Sequence, residues 1–223
     1  MSNVRIINKQ LVNGFYFVID PIGNLLEAIH VHPHVVTIAG LLFSIIAGAF
    51  FWTGHFISGG ISIIISGVCD VLDGRLARKT ALNSPFGALL DSTMDRYSEI
   101  AIYLGLMAYF DSIYISSLII LVIAGSLLTS YVRARAEGLG IECKVGIMQR
   151  PERLTFLATA AILGPIADRF IGTKIDPTGI IILDRIFESG HILMKIALLA
   201  IALLANITVI QRMFHVSKKL KSQ

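Results

Sequence analysis

The sequence predicts an all-α integral membrane protein with six transmembrane helices behind an N-terminal interfacial amphipathic helix. Three observations predict it. Of 223 residues, 55% are hydrophobic and the mean hydropathy is +0.75, against an apolar content of roughly 45–50% for soluble domains. Apolar windows recur at lengths near the roughly 20 residues that cross a ~30 Å hydrocarbon core. Four aspartates, Asp70, Asp73, Asp91 and Asp95, lie inside two of these windows, where an acid costs roughly 2.5–3.5 kcal/mol unless a cation or a water-filled site compensates it.

The elements follow in order. Residues 6–29 mix apolar and polar positions at helical spacing, with Phe15, Tyr16, Phe17, Leu25 and Leu26 on the apolar side. That segment is too polar to span, so 1–31 is expected at the interface, bent at Pro21 and Gly23. Pro33 opens the first span, where a missing N–H costs nothing. The expected spans are Pro33–Gly54, Phe56–Arg78, Phe86–Phe110, Ile113–Arg133, Leu154–Ile166 and His191–Phe214, the fifth cut short by Pro165 and Asp168. Lys79–Pro85 forms a turn, with Asn83, Ser84 and Pro85 as a helix-start signal. Phe170–Gly190 joins the last two spans, and its run Gly179–Leu183 is expected to dip into the interface. Together 33–214 form one six-helix core, and 1–223 reads as a single domain.

Basic residues set the orientation. Of 19 Lys and Arg, all but Arg169, Lys174, Arg185 and Lys195 fall on the side that holds both termini and the mouth of the aspartate helices. The positive-inside rule places that side in the cytoplasm, most simply at the inner (cytoplasmic) membrane of a cell. No stretch reads as a cleaved signal peptide. Cys69 and Cys143 are on the cytoplasmic side and far apart, which argues against a disulfide. A net charge of +4 suits anionic headgroups and gives no further sign of nucleic-acid binding.

Asp70, Asp73 and Ala77 recur at i, i+3 and i+7, one stripe of a helix, and Gly87, Asp91 and Asp95 at i, i+4 and i+8, one stripe of the next. A short turn makes the two helices antiparallel neighbours, so the stripes can face each other near the cytoplasmic end. Four carboxylates there form a hard oxygen site suited to Mg2+ or Mn2+. Gly74 and Gly87 leave room for a ligand to approach the backbones, and the Arg78 guanidinium at the mouth can bind phosphate bidentately. These are the parts of a metal-assisted phosphoryl-transfer site. Two other readings compete: an ion network pairing the acids with Arg75, Arg78 and Arg96, and a metal-ion transporter. The glycines and Arg78 fit a nucleotide better than an ion path, and no inverted repeat is evident.

The string D-x2-D-G-x2-A-R-x8-G-x3-D-x3-D, from Asp70 to Asp95, matches every fixed position of the CDP-alcohol phosphotransferase signature. The chain resembles that family over this motif, and the six-helix layout extends the resemblance to most of its length. By that resemblance the chain transfers a phosphate-bearing group from a CDP-linked donor to an alcohol and releases CMP. The resemblance implies Asp70, Asp73 and Asp91 as principal metal ligands for two ions, with Asp95 touching the second and also serving as general base. It implies a CDP-binding set of Asp70, Gly74, Ala77, Arg78 and Gly87, with Thr37 bordering the nucleotide, and a homodimer.

The acceptor is read from a second stretch, in which Arg133, Arg135, Lys144, Arg150 and Arg153 cluster at the same mouth. Such a cluster suits an acceptor that is itself phosphorylated. Its wording resembles the phosphatidylinositol-phosphate synthase branch, which joins CDP-diacylglycerol to inositol phosphate. That resemblance gives the acceptor phosphate to Arg133 and Arg153, assisted by Arg135 or Arg150, with Arg212 as a further contact. Glycerol-3-phosphate, and hence phosphatidylglycerophosphate synthesis, is the runner-up. The bland reading of these arginines is positive-inside topology. His30, His32 and His34 read as interfacial rather than as a zinc site, Cys69 as packing, and Glu99 as either support for a ligand or a cavity residue.

Overall fold

The computed structural model describes residues 9–80, 84–171, 179–188 and 190–221, with side chains in the first helix from Ile19 onward. Arg5, Asn83 and Lys174 lie outside the described residues, as do the side chains of Phe15, Tyr16 and Phe17. The described chain is all-helical: α1 (Lys9–Ala28), α2 (Pro33–Trp52), α3 (Phe56–Lys79), α4 (Pro85–Phe110), α5 (Ile113–Gly138), α6 (Arg150–Ile171), α7 (Ile181–Phe187) and α8 (Ile192–Leu220). Helices α2, α3, α5 and α8 are long and apolar enough to cross a membrane. The expected spans in α4 and α6 are long helices too, but Asp91, Asp95, Arg96 and Glu99 in one and Arg150, Glu152, Arg153, Asp168 and Arg169 in the other lower their apolar character.

Several boundaries differ from expectation. Helix α6 runs from Arg150 to Ile171 and carries Pro165 inside it, so neither Pro165 nor Asp168 ends it. Pro21 likewise lies within α1. Helix α5 continues past Arg133 to Gly138, because nothing between them breaks a helix. The run expected to dip into the interface enters the short helix α7.

A main core joins Ala47, Phe51, Phe56, Ile102, Leu106, Ile119, Leu157, Leu198 and Ile201. At the level of Gly48 and Gly105, α2 and α4 approach backbone to backbone. A Cβ on Gly48 would strike the Ala101 carbonyl, and one on Gly105 would strike Gly48 itself. The crossing joins the C-terminal halves of α2 and α4, away from their first turns. Ser44 and Ser66 share a hydrogen bond of 2.8 Å between α2 and α3. Helix α1 docks on the end of α3 through Ile19, Leu72 and Leu76, an Arg75–Asp20 ion pair, and Lys79 donating to Asn24 and Glu27 at 2.8 Å each. At the opposite end, His191 stacks on Phe56 with ring centroids 4.2 Å apart, and its ring nitrogen Nε2 lies 2.8 Å from Tyr109 Oη.

Candidate active site

Helices α2 and α4 begin, and α3 ends, at one end of this bundle. Pro33 and Pro85 each occupy a first-turn position, where the absent N–H is no loss. Ser84 caps α4 by accepting from Gly87 N at 2.9 Å. Between these three ends lies a cleft of about 410 Å³, lined by Pro33, His34, Thr37, Asp73, Gly74, Ala77, Arg78, Ser84, Pro85, Gly87, Ala88 and Asp91. Two helix N-termini and the Arg78 side chain therefore border a space that also holds acidic groups. That combination binds phosphates at the N-termini and the guanidinium, and cations at the acids.

Asp73 is buried at the floor, and Thr37 Oγ1 donates to its Oδ2 at 2.6 Å. Thr37, expected at the nucleotide's border, thus lines the cleft and also orients a carboxylate. Asp91 stands across the cleft on α4, close enough to Asp70 and Asp73 to feel their charge. Asp70 and Asp95 turn the other way. Arg150 Nη1, reaching in from α6, donates to Asp70 Oδ2 at 2.5 Å and lies 2.9 Å from Asp95 Oδ1. Arg96 adds a looser contact to Asp95 at 3.9 Å. Among the described residues no three acidic, cysteine or histidine side chains converge tightly enough to hold an ion as they stand. The cation between Asp70 and Asp95 is the guanidinium of Arg150.

The donor set fits a divalent ion. All four groups are hard carboxylates, the class that Mg2+ and Mn2+ select. Arg150 Nη1 bridges two of them, Asp70 and Asp95, so that pair already holds a positive charge.

The arginines expected at an acceptor phosphate divide into three kinds. Arg133 and Arg135 are exposed near the end of α5, with Arg133 donating to Glu137 at 2.9 Å. Arg153 is only 2% exposed; it donates to Glu99 at 2.6 and 3.3 Å and to the Met148 carbonyl at 3.3 Å. Arg212, 3% exposed, donates to the carbonyls of Thr129 at 2.6 Å and Val145 at 2.8 Å, tying α8 to α5 and to the loop before α6. A small cavity of about 10 Å³ lies between Asp95, Glu99, Tyr103, Ser126, Ser130, Arg150 and Arg153. Reasoning from sequence did not place Arg150 among the aspartates, nor Tyr103 and Ser126 on that wall. The signal for Glu99 was available, since it continues the Asp91–Asp95 stripe by one turn and so had to meet a cation at the same depth.

Comparison with known proteins decides the class. The CDP-alcohol phosphatidyltransferase family model matches residues 30–203. The chain belongs to that family. It is therefore a transferase, and the ion-transporter alternative falls. Among curated relatives, archaetidylinositol phosphate synthase of Methanothermobacter thermautotrophicus is 34% identical over 219 residues, 96% of this chain and 98% of that protein. Phosphatidylinositol phosphate synthase of Cutibacterium acnes is 33% identical over 217 residues, covering 94% and 97%. Phosphatidylinositol phosphate synthase of Mycobacterium tuberculosis, solved with CDP-DAG bound, superposes with a TM-score of 0.71 at 27% identity, covering 89% of this chain and 93% of that one. The same protein in complex with manganese and citrate gives a TM-score of 0.72 at 27% identity, covering 89% and 88%.

Proposed function

We propose that the chain transfers a phosphatidyl-type group from a CDP-linked lipid, CDP-diacylglycerol or its archaeal ether counterpart, to the hydroxyl of inositol phosphate. The observation that carries the reading is the cleft between α2, α3 and α4, whose walls are the motif residues Asp73, Gly74, Ala77, Arg78, Gly87 and Asp91 together with Thr37. A CDP pyrophosphate placed there meets two helix N-termini and Arg78, while Gly74 and Gly87 leave the backbones open to it. Asp70, Asp73, Asp91 and Asp95 would hold divalent metal, Mg2+ or Mn2+, after local adjustment. When bound, the metal would offset the pyrophosphate charge and polarise the phosphorus under attack.

Asp95 takes the proton. It shares the wall of the small cavity with Arg150 and Arg153, so a hydroxyl arriving beside these arginines comes within hydrogen-bond reach of the carboxylate. The hydroxyl oxygen bonds to the lipid-bearing phosphorus, the bond from that phosphorus to the CMP oxygen breaks, and CMP leaves. Arg133, Arg135, Arg150, Arg153 and Arg212 supply positive charge for the acceptor's phosphate. Inositol phosphate is favoured as acceptor because relatives named for that product match the chain almost end to end at 33–34% identity.

The same reading places α4 and α6 in the membrane. They have 26 and 22 residues, and at ~1.5 Å per residue both exceed a ~30 Å core. Helix α4 packs on α2 and α5, and α6 on α3 and α8, so Asp91, Asp95, Glu99, Arg150 and Arg153 turn toward protein rather than lipid, while Arg169 is exposed near the end of α6. That makes a single domain of six spans (33–214) with α1 at the interface and the site facing the cytoplasm, in a homodimer as the family resemblance implies. The decisive assay is CMP release by purified protein with Mg2+, diacyl and diether CDP-lipids, and inositol phosphate, glycerol-3-phosphate, inositol or serine. Release with inositol phosphate alone is expected. Release with glycerol-3-phosphate instead would keep the aspartate chemistry and overturn the acceptor assignment.

A further inference from the structure

Arg150 stands where two demands meet. One of its nitrogens, Nη1, serves both Asp70 and Asp95, while Nε and Nη2 are buried without hydrogen-bond partners, Nε lying 3.7 Å from Glu99 Oε1 in a long ion-pair contact. Tyr103 Oη and Ser126 Oγ, on the wall of the same small cavity, are also buried and unpartnered. Buried donors of this kind are ordinarily satisfied, so their gathering on one wall marks a place for a polar ligand. At about 10 Å³ the cavity has room for a water and none for a phosphate. An anion site on this wall therefore requires a side chain to swing.

We propose that Arg150 is an exchangeable internal cation: it neutralises Asp70 and Asp95 until a divalent ion takes their oxygens, and the released guanidinium then turns its Nε–Nη2 edge to the acceptor's phosphate. The proposal rests on the metal-site reading above. A divalent ion drawn to Asp70 Oδ2 and Asp95 Oδ1 would stand against the like charge of the guanidinium that already contacts both, so ion and guanidinium compete. The edge left without hydrogen bonds is the planar fork that binds a phosphate bidentately. Arg153, clasped by Glu99 at 2.6 Å, stays in place beside it as the fixed half of the anion site. Metal and acceptor thus bind with positive coupling, and linkage makes the coupling equal in both directions.

The test is Mn2+ binding to the full chain in nanodiscs, followed by the electron paramagnetic resonance of the free ion, without acceptor and with inositol phosphate or glycerol-3-phosphate. Wild type is expected to bind Mn2+ on the order of tenfold more tightly when its acceptor is present. Arg150→Gln should bind Mn2+ more tightly than wild type without acceptor, and acceptor should no longer change that affinity. Arg150→Lys keeps the competing charge without the fork, so its acceptor-free affinity stays near wild type while the coupling falls. Melting supplies a second readout: Mn2+ should raise the Tm of Arg150→Gln more than that of wild type, and equal shifts would overturn the exchange. Asp70→Asn separates the two failures. If it leaves Mn2+ binding unchanged, the metal-site reading falls and the exchange with it. If Asp70→Asn weakens binding but Arg150→Gln does not tighten it, the exchange alone is wrong.

Discussion

On the α2–α3–α4 side, Arg78 and Asp91 face an open cleft of about 410 Å³. On the α6 side, Arg150 and Arg153 are already engaged by Asp70, Asp95 and Glu99 around a cavity of about 10 Å³. The first region has the room and the groups for a nucleotide without rearrangement. In the second, the buried arginines Arg150, Arg153 and Arg212 are spoken for by acids or carbonyls. Donor binding here is a matter of fit, whereas acceptor binding must displace existing contacts. The difference predicts that substitutions in the two halves fail differently, one in affinity and the other in stability or coupling.

The largest effect is expected where the halves meet. Asp95→Asn should keep CDP binding and lower turnover by roughly 10²–10⁴-fold, the usual contribution of a general base. CMP release measured beside nucleotide binding checks it, and an active variant would remove Asp95 as the base. On the closed side, Arg153→Ala leaves buried Glu99 with only its long 3.7 Å contact to Arg150 Nε, which should cost toward the lower end of about 3–5 kcal/mol of stability, read from thermal unfolding. The double substitution Glu99→Gln with Arg153→Gln should recover most of that loss. If Arg153 also holds the acceptor's phosphate, the double variant keeps a raised acceptor KM with a normal donor KM. A wild-type acceptor KM would make Arg153 purely structural.

A third substitution probes the floor of the open side. Thr37→Val removes the 2.6 Å donor to Asp73. Orienting partners of metal ligands are worth about 10–100-fold in metal affinity, so Mn2+ titration should show a loss in that range, restored by Thr37→Ser. An unchanged affinity would show that Asp73 does not need its orientation fixed.

The open half was the more legible in the sequence, for a physical reason. Its residues lie at i+3 and i+4 spacings on two helices consecutive in the chain, and helical periodicity gathers Asp73, Gly74 and Ala77 on one and Gly87 and Asp91 on the other. The expected direct packing of those two helices is corrected by the structure, where α2 packs on both α3 and α4 and the two flank the cleft. The closed half depends on α6 reaching across to α3 and α4, a tertiary relation over 80 residues from Asp70 to Arg150. No periodicity encodes it. The basic cluster around residues 133–153 was visible, but which arginine meets which acid was not. The end of α6 was also misjudged, since neighbouring helices hold the chain straight enough to keep Pro165 inside it.

The smallest predicted effect tests whether the cleft is as closely shaped as its lining suggests. At Gly87 a Cβ would sit 3.1 Å from Ser84 Oγ and 3.2 Å from His34 Cε1, so each neighbour must give by a few tenths of an ångström. Ser84 Oγ also caps α4 through Gly87 N, and His34 forms the facing wall. Gly87→Ala should therefore narrow the cleft without unfolding it and raise the donor KM severalfold, with the acceptor KM unchanged. Gly74→Ala separates two causes: a Cβ there meets only Arg78 Nη1, at 3.5 Å, a flexible side chain that can move aside, so a raised donor KM in that variant reports contact with the nucleotide itself. If both alanines left the donor KM unchanged, the nucleotide would be held elsewhere; if Gly87→Ala moved the acceptor KM as well, the two halves would not be separable in the way their packing implies.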